Sequence, residues 1–293
     1  MNNFDQLRIG GYSTALFSTW FFVEELGLLF DAGDGVSSTL LQKSRKIKNV
    51  FISHADRDHL TGLLQFNQLN AREGLVIHYP ADSGSFPALA EFMKRFDWHV
   101  KGTFWKPIRE NHDFEIKPKI FVRSIRNSHI SVAEGITKSL SYLVQTKTPK
   151  LKVEFQQLSG NEIKKIALEK GREYLTQIET KNILGYSGDT SIDHYDHWNN
   201  TKILIHEATF LDNHEKLNNH ANKHSNLEEV IRMVSEIKVE KLILSHFSSR
   251  YSKSEIDATI RKLCKTYRID IPIYRILPGE VCLDILSSEI INR

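Results

Sequence analysis

Two cysteines in 293 residues, Cys264 and Cys282, are too few for a disulfide framework, and neither sits in a C-x-x-C pair. They read as reduced core thiols, as expected of a cytoplasmic protein. The N-terminus, MNNFDQLRIGGYS, lacks a basic segment leading into an apolar one, so no signal peptide is expected. Long hydrophobic runs are missing as well. The most apolar early stretch, ALFSTWFFV, is too short to span a bilayer and soon runs into Glu24-Glu25. No low-complexity tract, internal repeat or Pro/Gly/Ser-rich linker interrupts the chain, which argues against repeat and fibrous architectures and predicts one domain over residues 1–293. Excess charge is also small. A net charge of +3 does not by itself argue nucleic-acid binding. What is there, 40% hydrophobic and 26% charged residues, suffices for a sizeable core.

The distribution of charge says more than its sum. From Lys138 to Arg172, eight Lys/Arg face three acids, a local excess larger than the net charge of the whole chain. A solvated basic face and a grip on RNA are both open readings of this stretch. Residues 146–182 form the expected excursion from the core, a small basic arm whose helix lies between two polar, strand-poor segments.

Apolar, β-branched and aromatic runs of strand length recur: STWFFV, GLLFDAG, VFISH, LVIHYP, IFVRSI, SYLVQ, NILGYSGD, ILIHEA, KLILSH, IYRIL and VCLDI. Helical segments fall among them. Residues 60–72 carry Leu60, Leu63, Leu64 and Leu69 on a helical repeat. Three more helices are predicted at the capping boxes Ser159-x-x-Glu162, Ser225-x-x-Glu228 and Ser252-x-x-Glu255, the first ending at Gly171 as a left-handed cap. The pattern predicts an α/β protein with two sheets and helices packed outside.

Six polar residues stand at the trailing ends of these runs: Asp31, His54, His129, Asp189, Glu207 and His246. In sheets with helical crossovers that is the edge where sites assemble. One stretch concentrates the signal. SHADRDHLTG, residues 53–62, holds His54, Asp56, Asp58 and His59 just after Val50-Phe51-Ile52. Side chains at 54, 56 and 58 alternate along an extended loop, and His59 turns back as a helix begins, so a short loop can present ligands to two adjacent ions. An exposed, Asp-rich helix cap with incidental histidines is the competing reading.

The H-x-[HD]-x-D-H-L-T-G pattern after a strand, with FDAGDG upstream, resembles the metallo-β-lactamase fold. GYSGDT (185–190), IHEATF (205–210), KHS (223–225) and LSHFSSRY (244–251) resemble its tRNase Z (ribonuclease Z) branch, and LSGNEIKKI (158–166) resembles the short-armed, plant-like members. The resemblance implies an αββα sandwich with two divalent ions, zinc being expected. It implies one ion on His54, residue 56 and His129, another on Asp58, His59 and His246, and Asp189 between them. It further implies a two-metal attack on the phosphorus of an RNA phosphodiester, with precursor tRNA as substrate and a homodimer as the assembly. Glu207 and His224 match the pair that protonates the leaving oxygen, and with Asp58 they are the residues expected to be catalytic. Ser248, Ser249 and Arg250 match the segment that grips the scissile phosphate, and Asp31 is expected to orient the His54 loop or a ligand imidazole.

Two departures bear on these expectations. The family has histidine where this chain has Asp56, and Asn226 replaces the last residue of its H-S-T motif. A carboxylate at 56 adds negative charge, which weakens the ions as Lewis acids and makes manganese or iron more competitive. A turned-away Asp56 with a weak first site is the alternative. Two rival functions follow: the same fold acting on a small phosphodiester or another RNA, or a metal-poor RNA-binding homologue without catalysis. The remaining histidines (78, 99, 112, 194, 197, 206, 214 and 220) are expected to be surface or satisfied core residues. Asp193-His194-x-Asp196-His197 has metal-like spacing but no incoming strand.

Overall fold

The computed structural model describes residues 7–212 and 224–293. His214, His220 and Lys223 of the KHS motif lie outside the described residues. The first sheet is built from β1 (Ile9–Thr14), β2 (Ser18–Val23), β3 (Leu28–Phe30), β4 (Asn49–Phe51), β5 (Val76–Pro80) and β6 (Phe104–Ile108), in that order. Its first three strands are antiparallel and the rest parallel. The second sheet runs β13-β12-β11-β10-β9-β8-β7, from β7 (Asp113–Lys117), β8 (Ile120–Arg126), β9 (Leu140–Leu151), β10 (Thr176–Tyr186), β11 (Thr201–Glu207), β12 (Val239–Ser245) and β13 (Ile273–Arg275). Strands β10 to β13 are parallel, and β7 to β10 alternate.

Alternation along β2 shows how the layers form. Phe21 and Val23 point into a core shared with Tyr142, Tyr186, Ile203 and Ile243 of the other sheet. Trp20 and Phe22 point the opposite way, into a cluster with Val36, Leu63, Phe66 and Phe86. These outer residues come from α1 (Val36–Leu40), α3 (Leu63–Asn70) and α4 (Ser85–Phe96), α3 following the short α2 (Arg57–Leu60). Behind the second sheet, Leu204, Leu242 and Leu244 pack on α7 (Leu227–Glu236) and α8 (Lys253–Tyr267). Aromatic pairs join the sheets, Phe30 stacking on Tyr186 at 4.9 Å and Phe51 meeting Tyr142 edge-on at 5.1 Å. The result is two mixed sheets face to face with helices outside, an αββα sandwich.

The arm is more regular than polar composition suggests. Strands β9 and β10 continue as a hairpin as far as Leu151 and Thr176, so the segments flanking its helix are strands rather than strand-poor. The tip carries α5 (Gly160–Lys170), capped by the expected Ser159–Glu162 box, and α6 (Arg172–Leu175). Helix α5 buries no residue completely. Gly171 does have positive φ, 83°, but with ψ 155° it is not the left-handed cap expected. Part of the basic excess is neutralised in place, with Lys147 on Asp113 at 2.6 Å and Lys150 on Glu179 at 2.7 Å.

Other local differences have physical causes. The capping box expected at Ser225 sits one residue later: Asn226 accepts the Glu229 N–H, while Ser225 Oγ donates to the Thr190 carbonyl. The helix expected over 60–72 breaks at Thr61-Gly62 and buries Phe66, Asn67 and Asn70 beside Leu63, leaving Leu69 exposed. VCLDI is not a strand; only Cys282 bridges to Gly11. Strand β1 is not among the apolar runs of the sequence; it carries two glycines, and at Gly11 a Cβ would lie 2.6 Å from the Phe21 ring. Helix α4 lacks a side-chain cap, and β6 and β7 are exposed edge strands, so each carries a weak signal.

Candidate metal centre

Strand direction gathers the site. Strands β3 and β4 are parallel, so Asp31 and His54 leave the first sheet at one edge. Strands β10, β11 and β12 are parallel, and β8 runs in the same sense, two antiparallel pairings away from β10. Asp189, Glu207, His246 and His129 therefore reach the same edge of the second sheet. The edges are tied together, the Leu140 N–H donating to the Ser53 carbonyl at 2.8 Å and the Tyr142 hydroxyl to the Ile52 carbonyl at 2.6 Å. Gly188 allows close approach. Its φ is +58°, and a Cβ there would lie 2.7 Å from Ser53 Cβ.

Two carboxylates outside the cluster orient its imidazoles by the same device. Asp31, fully buried, accepts from His59 Nδ1 at 2.7 Å, from the Ser53 hydroxyl at 2.7 Å, and from the Tyr186 hydroxyl. Ser53 spends its single hydrogen on Asp31, so at the 2.9 Å contact with His54 it must accept the Nδ1 proton. Glu207 repeats the pattern. It lies 3.1 Å from His224 Nδ1 and accepts from the Thr209 hydroxyl at 2.6 Å. That hydroxyl is 2.9 Å from His246 Nδ1 and accepts its proton. In His54, His59 and His246 the hydrogen is thus held on Nδ1, and Nε2 presents a lone pair to the site.

The facing atoms are short of hydrogens. Asp189 Oδ2 is 3.2 Å from His59 Nε2, 3.3 Å from His246 Nε2 and 3.7 Å from His54 Nε2. His59 Nε2 and His246 Nε2 are 3.4 Å apart, with Asp58 Oδ2 3.6 and 3.4 Å from them. On the other side, Asp56 Oδ2 is 3.4 Å from His129 Nε2 and 3.6 Å from His54 Nε2, which is buried and has no hydrogen-bond partner. Around Asp189, where the tautomers of His54, His59 and His246 are fixed, lone pairs face lone pairs, and these repel unless a cation lies between them. Ligands around an ion at about 2.1 Å in tetrahedral geometry lie about 3.4 Å apart, which these separations match. The charge balance agrees. Burial opposes a charge on His59, yet Asp189 and Asp31 raise its pKa well above the ordinary value: without an ion its Nε2 would take up a proton, and the positive charge favoured there is what a metal ion would supply in the proton's place. His54 is pushed down to about 4 by burial and by the neighbouring His59 and His129. The buried His/Asp cluster therefore suits divalent metal binding.

The ligand atoms divide into His54, Asp56 and His129 on one side and Asp58, His59 and His246 on the other. Asp189 groups with His54 and His59, and with His129 and His224. Glu207, His224 and His246 also approach one another, but the Glu207 oxygens already accept from Thr190, Thr209 and His224. Asp56 occupies the cap position of α2 without making a side-chain cap hydrogen bond. Its carboxylate faces His54 and His129, whose contacts drive its pKa far below the usual carboxylate range.

A cleft of about 190 Å³ opens onto these groups, lined by Asp56, Asp58, Asp189, His224 and His246, with Ser248 and Arg250 on its rim. Ser249 is exposed and is not part of that lining. Arg250 Nε donates to Ser248 Oγ at 3.0 Å. Burial disfavours a charge on His224, but Glu207 more than offsets it and raises the pKa to about 9. Glu207 itself is held low by His224 although burial pushes it up. Of the other described histidines, His78 and His206 are buried, each with one nitrogen lacking a partner, and His194 and His197 join no metal-sized group. Ser53, Thr209 and Tyr186 were not singled out by sequence reasoning; their only signal was position, beside His54, in HEAT and before SGD.

No protein-family model matches the chain. The chain is similar to tRNase Z TRZ1 of Arabidopsis thaliana, 27% identical over 268 residues covering 88% of this chain and 89% of that protein. It is also similar to ribonuclease Z of Oceanobacillus iheyensis, 28% identical over 268 residues covering 82% and 84%. Among solved structures, the metallo-β-lactamase fold protein YhfI of Bacillus subtilis matches with TM-score 0.64 at 18% identity, covering 95% of this chain and all of that one. The short form of human tRNase Z matches with TM-score 0.57 at 17% identity, covering 94% and 99%. Among the described residues, no helix is long and apolar enough to cross a membrane. The chain has the metallo-β-lactamase fold, and over most of its length its sequence resembles tRNase Z.

Proposed function

We propose that the chain is a metal-dependent endoribonuclease that removes the 3′ trailer of precursor tRNA. The observation that carries this reading is the pairing of two ligand groups, each with its own carboxylate-oriented imidazoles, with His224 held on Glu207 beside them in one cleft. The similarity to proteins named tRNase Z and ribonuclease Z supports the substrate class.

His54, Asp56 and His129 would hold one divalent ion, and Asp58, His59 and His246 the other, with Asp189 shared. Bound there, such a pair lowers the pKa of a water and neutralises charge on phosphoryl oxygens. This chain's residues do the rest. Ser248 and Arg250 hold the phosphate at the cleft rim, Ser249 lying beside it. His224 keeps one proton on Nδ1 for Glu207 and offers the other, on Nε2, to the departing 3′-oxygen. The Glu207 carboxylate against Nδ1 raises its pKa and so favours the protonated form. Asp31 and Glu207 act on the ligand imidazoles through Ser53 and Thr209.

Zinc is the proposed ion in both places. Three carboxylates, Asp56, Asp58 and Asp189, leave a smaller net charge than a histidine at 56 would, so manganese or iron competes better here. The basic arm, about residues 146–182, is proposed as an RNA contact on an otherwise single domain. Support for a homodimer comes from the exposed apolar side chains Phe92, Phe96 and Trp98 on and just after α4, with Phe104 exposed at the start of β6. Cys264 and Cys282 are unpaired, which supports a reducing, cytoplasmic location. The test is incubation of metal-loaded protein with a precursor tRNA transcript carrying a 3′ trailer. Cleavage at the trailer junction that stops on chelation and returns with zinc or manganese is expected; an intact transcript under all metals rejects the reading.

A further inference from the structure

We infer that the turn between β1 and β2 is a platform for the nucleobase beside the scissile phosphate; this deepens the RNA reading above and rests on it. The Phe17 N–H donates to the Thr14 carbonyl at 3.0 Å, closing a four-residue turn. Leu16 is third in it, with φ at +70°. Turns with positive φ at that place favour glycine or asparagine, and leucine there is strained. The strain serves no core packing, because Leu16 is 90% and Phe17 62% exposed.

The turn is nevertheless held in place. The Ala15 N–H donates to the Phe247 carbonyl at 3.2 Å, and the Leu16 N–H to Asp58 Oδ2 at 3.0 Å. Leu16 thereby lines the same cleft as Asp58, His224 and Arg250, and Phe17 stands next to it. An apolar side chain held in water on the lining of a polar, metal-suited site, with an exposed aromatic ring next to it in the chain, gains only when something apolar covers it. Beside a phosphate gripped at that rim, the part of an RNA strand with an apolar face is the base, which stacks on an aromatic ring whatever its identity. Local strain retained at a site, where glycine would relieve it, fits a side chain kept for contact.

The test uses the full, metal-loaded chain and a short RNA with one cleavable phosphodiester, carrying a base or an abasic nucleotide on each side of that bond in turn. For the wild type, removing the contacted base is expected to lower kcat/KM roughly 5- to 150-fold, mainly through KM. In Phe17→Ala the two RNAs should be cleaved within about twofold of each other, as expected when both partners of one contact are removed. Leu16→Gly relieves the turn, so it should fold at least as well and narrow the same ratio. The ratio cancels any loss common to both RNAs. A wild-type ratio in both variants overturns the inference. So does a preserved ratio with an altered oligomeric state, which would assign the turn to a second copy of the chain. Wild-type protein that hydrolyses methyl p-nitrophenyl phosphate but leaves every RNA intact overturns the functional reading, and this inference with it.

Discussion

Glu207 acts on His246 without touching it. The Thr209 hydroxyl lies between them, 2.6 Å from Glu207 Oε2 and 2.9 Å from His246 Nδ1, and passes the orientation on. Asp31 reaches His54 through Ser53 in the same way. A hydroxyl has one hydrogen. Once it is given to a carboxylate, the imidazole must donate, and Nε2 is left as an acceptor. Thr209→Val keeps the shape and removes the link. Affinity for the ion on the His246 side is expected to fall about 10- to 100-fold, measured by competition with a chelator. Unchanged affinity would mean that packing alone orients the ring.

His224 is expected to matter in proportion to how badly the leaving group needs a proton. His224→Ala should lower turnover on RNA by about 10²- to 10⁴-fold while metal content persists. A p-nitrophenyl phosphodiester should lose far less, since its leaving group is already a weak base. Equal losses on both substrates would remove His224 from leaving-group protonation.

The basic helix of the arm makes a separate prediction. Lys164 and Lys165 are exposed, and Lys170 lies over the Tyr174 ring at 4.7 Å. Changing all three to Glu should weaken RNA binding and flatten its salt dependence by about one unit of log–log slope per lost phosphate contact. Filter binding across a salt series measures this. Unaltered affinity and slope would leave the arm as a solvated face.

Stability should depend on pH through a histidine remote from the chemistry. His78 stacks on Phe51 at 4.0 Å between sheet and core, and burial, with Lys106 adding to it, pushes its pKa down to about 3. The unfolded chain takes up this proton below about 6.5, and the folded one only near 3. Its contribution is therefore lost as pH falls from 6.5 toward 3, by up to about 1.4 kcal/mol per pH unit. His54 and His206 are also lowered, so the informative quantity is a difference between proteins. Denaturant unfolding of His78→Phe against wild type should show the variant gaining at pH 5 relative to pH 8. Parallel pH curves would contradict this.

What could be read from the sequence follows from range of interaction. Asp31, His54, His129, Asp189, Glu207 and His246 each end an apolar run, and parallel strands deliver such ends to one edge whatever the details between them. The Ser159 and Ser252 boxes are local hydrogen-bond patterns, visible within four residues. Where one box sat a residue off, at Asn226 in place of Ser225, a distant group had claimed the serine: its hydroxyl goes to Thr190, 35 positions away. Thr209 and Ser53 were invisible for the same reason. A hydroxyl's part in the site depends on the carboxylate and imidazole that the fold brings to it. Edge strands such as β6, carrying Pro107, and the glycine-bearing β1 lack the alternation on which strand recognition rests.

Asp56 carries the sharpest test. Its carboxylate makes no helix-cap bond and faces His54 and His129 at 3.6 and 3.4 Å. The decisive measurement is metal stoichiometry, by elemental analysis of metal-replete wild type and Asp56→Ala, with each ion located by anomalous scattering. Two equivalents are expected in the wild type, one on each side of Asp189, falling to one in Asp56→Ala with the loss on the His54–His129 side. Saturation of the wild type at one ion, or two full equivalents in the alanine variant, would contradict the account.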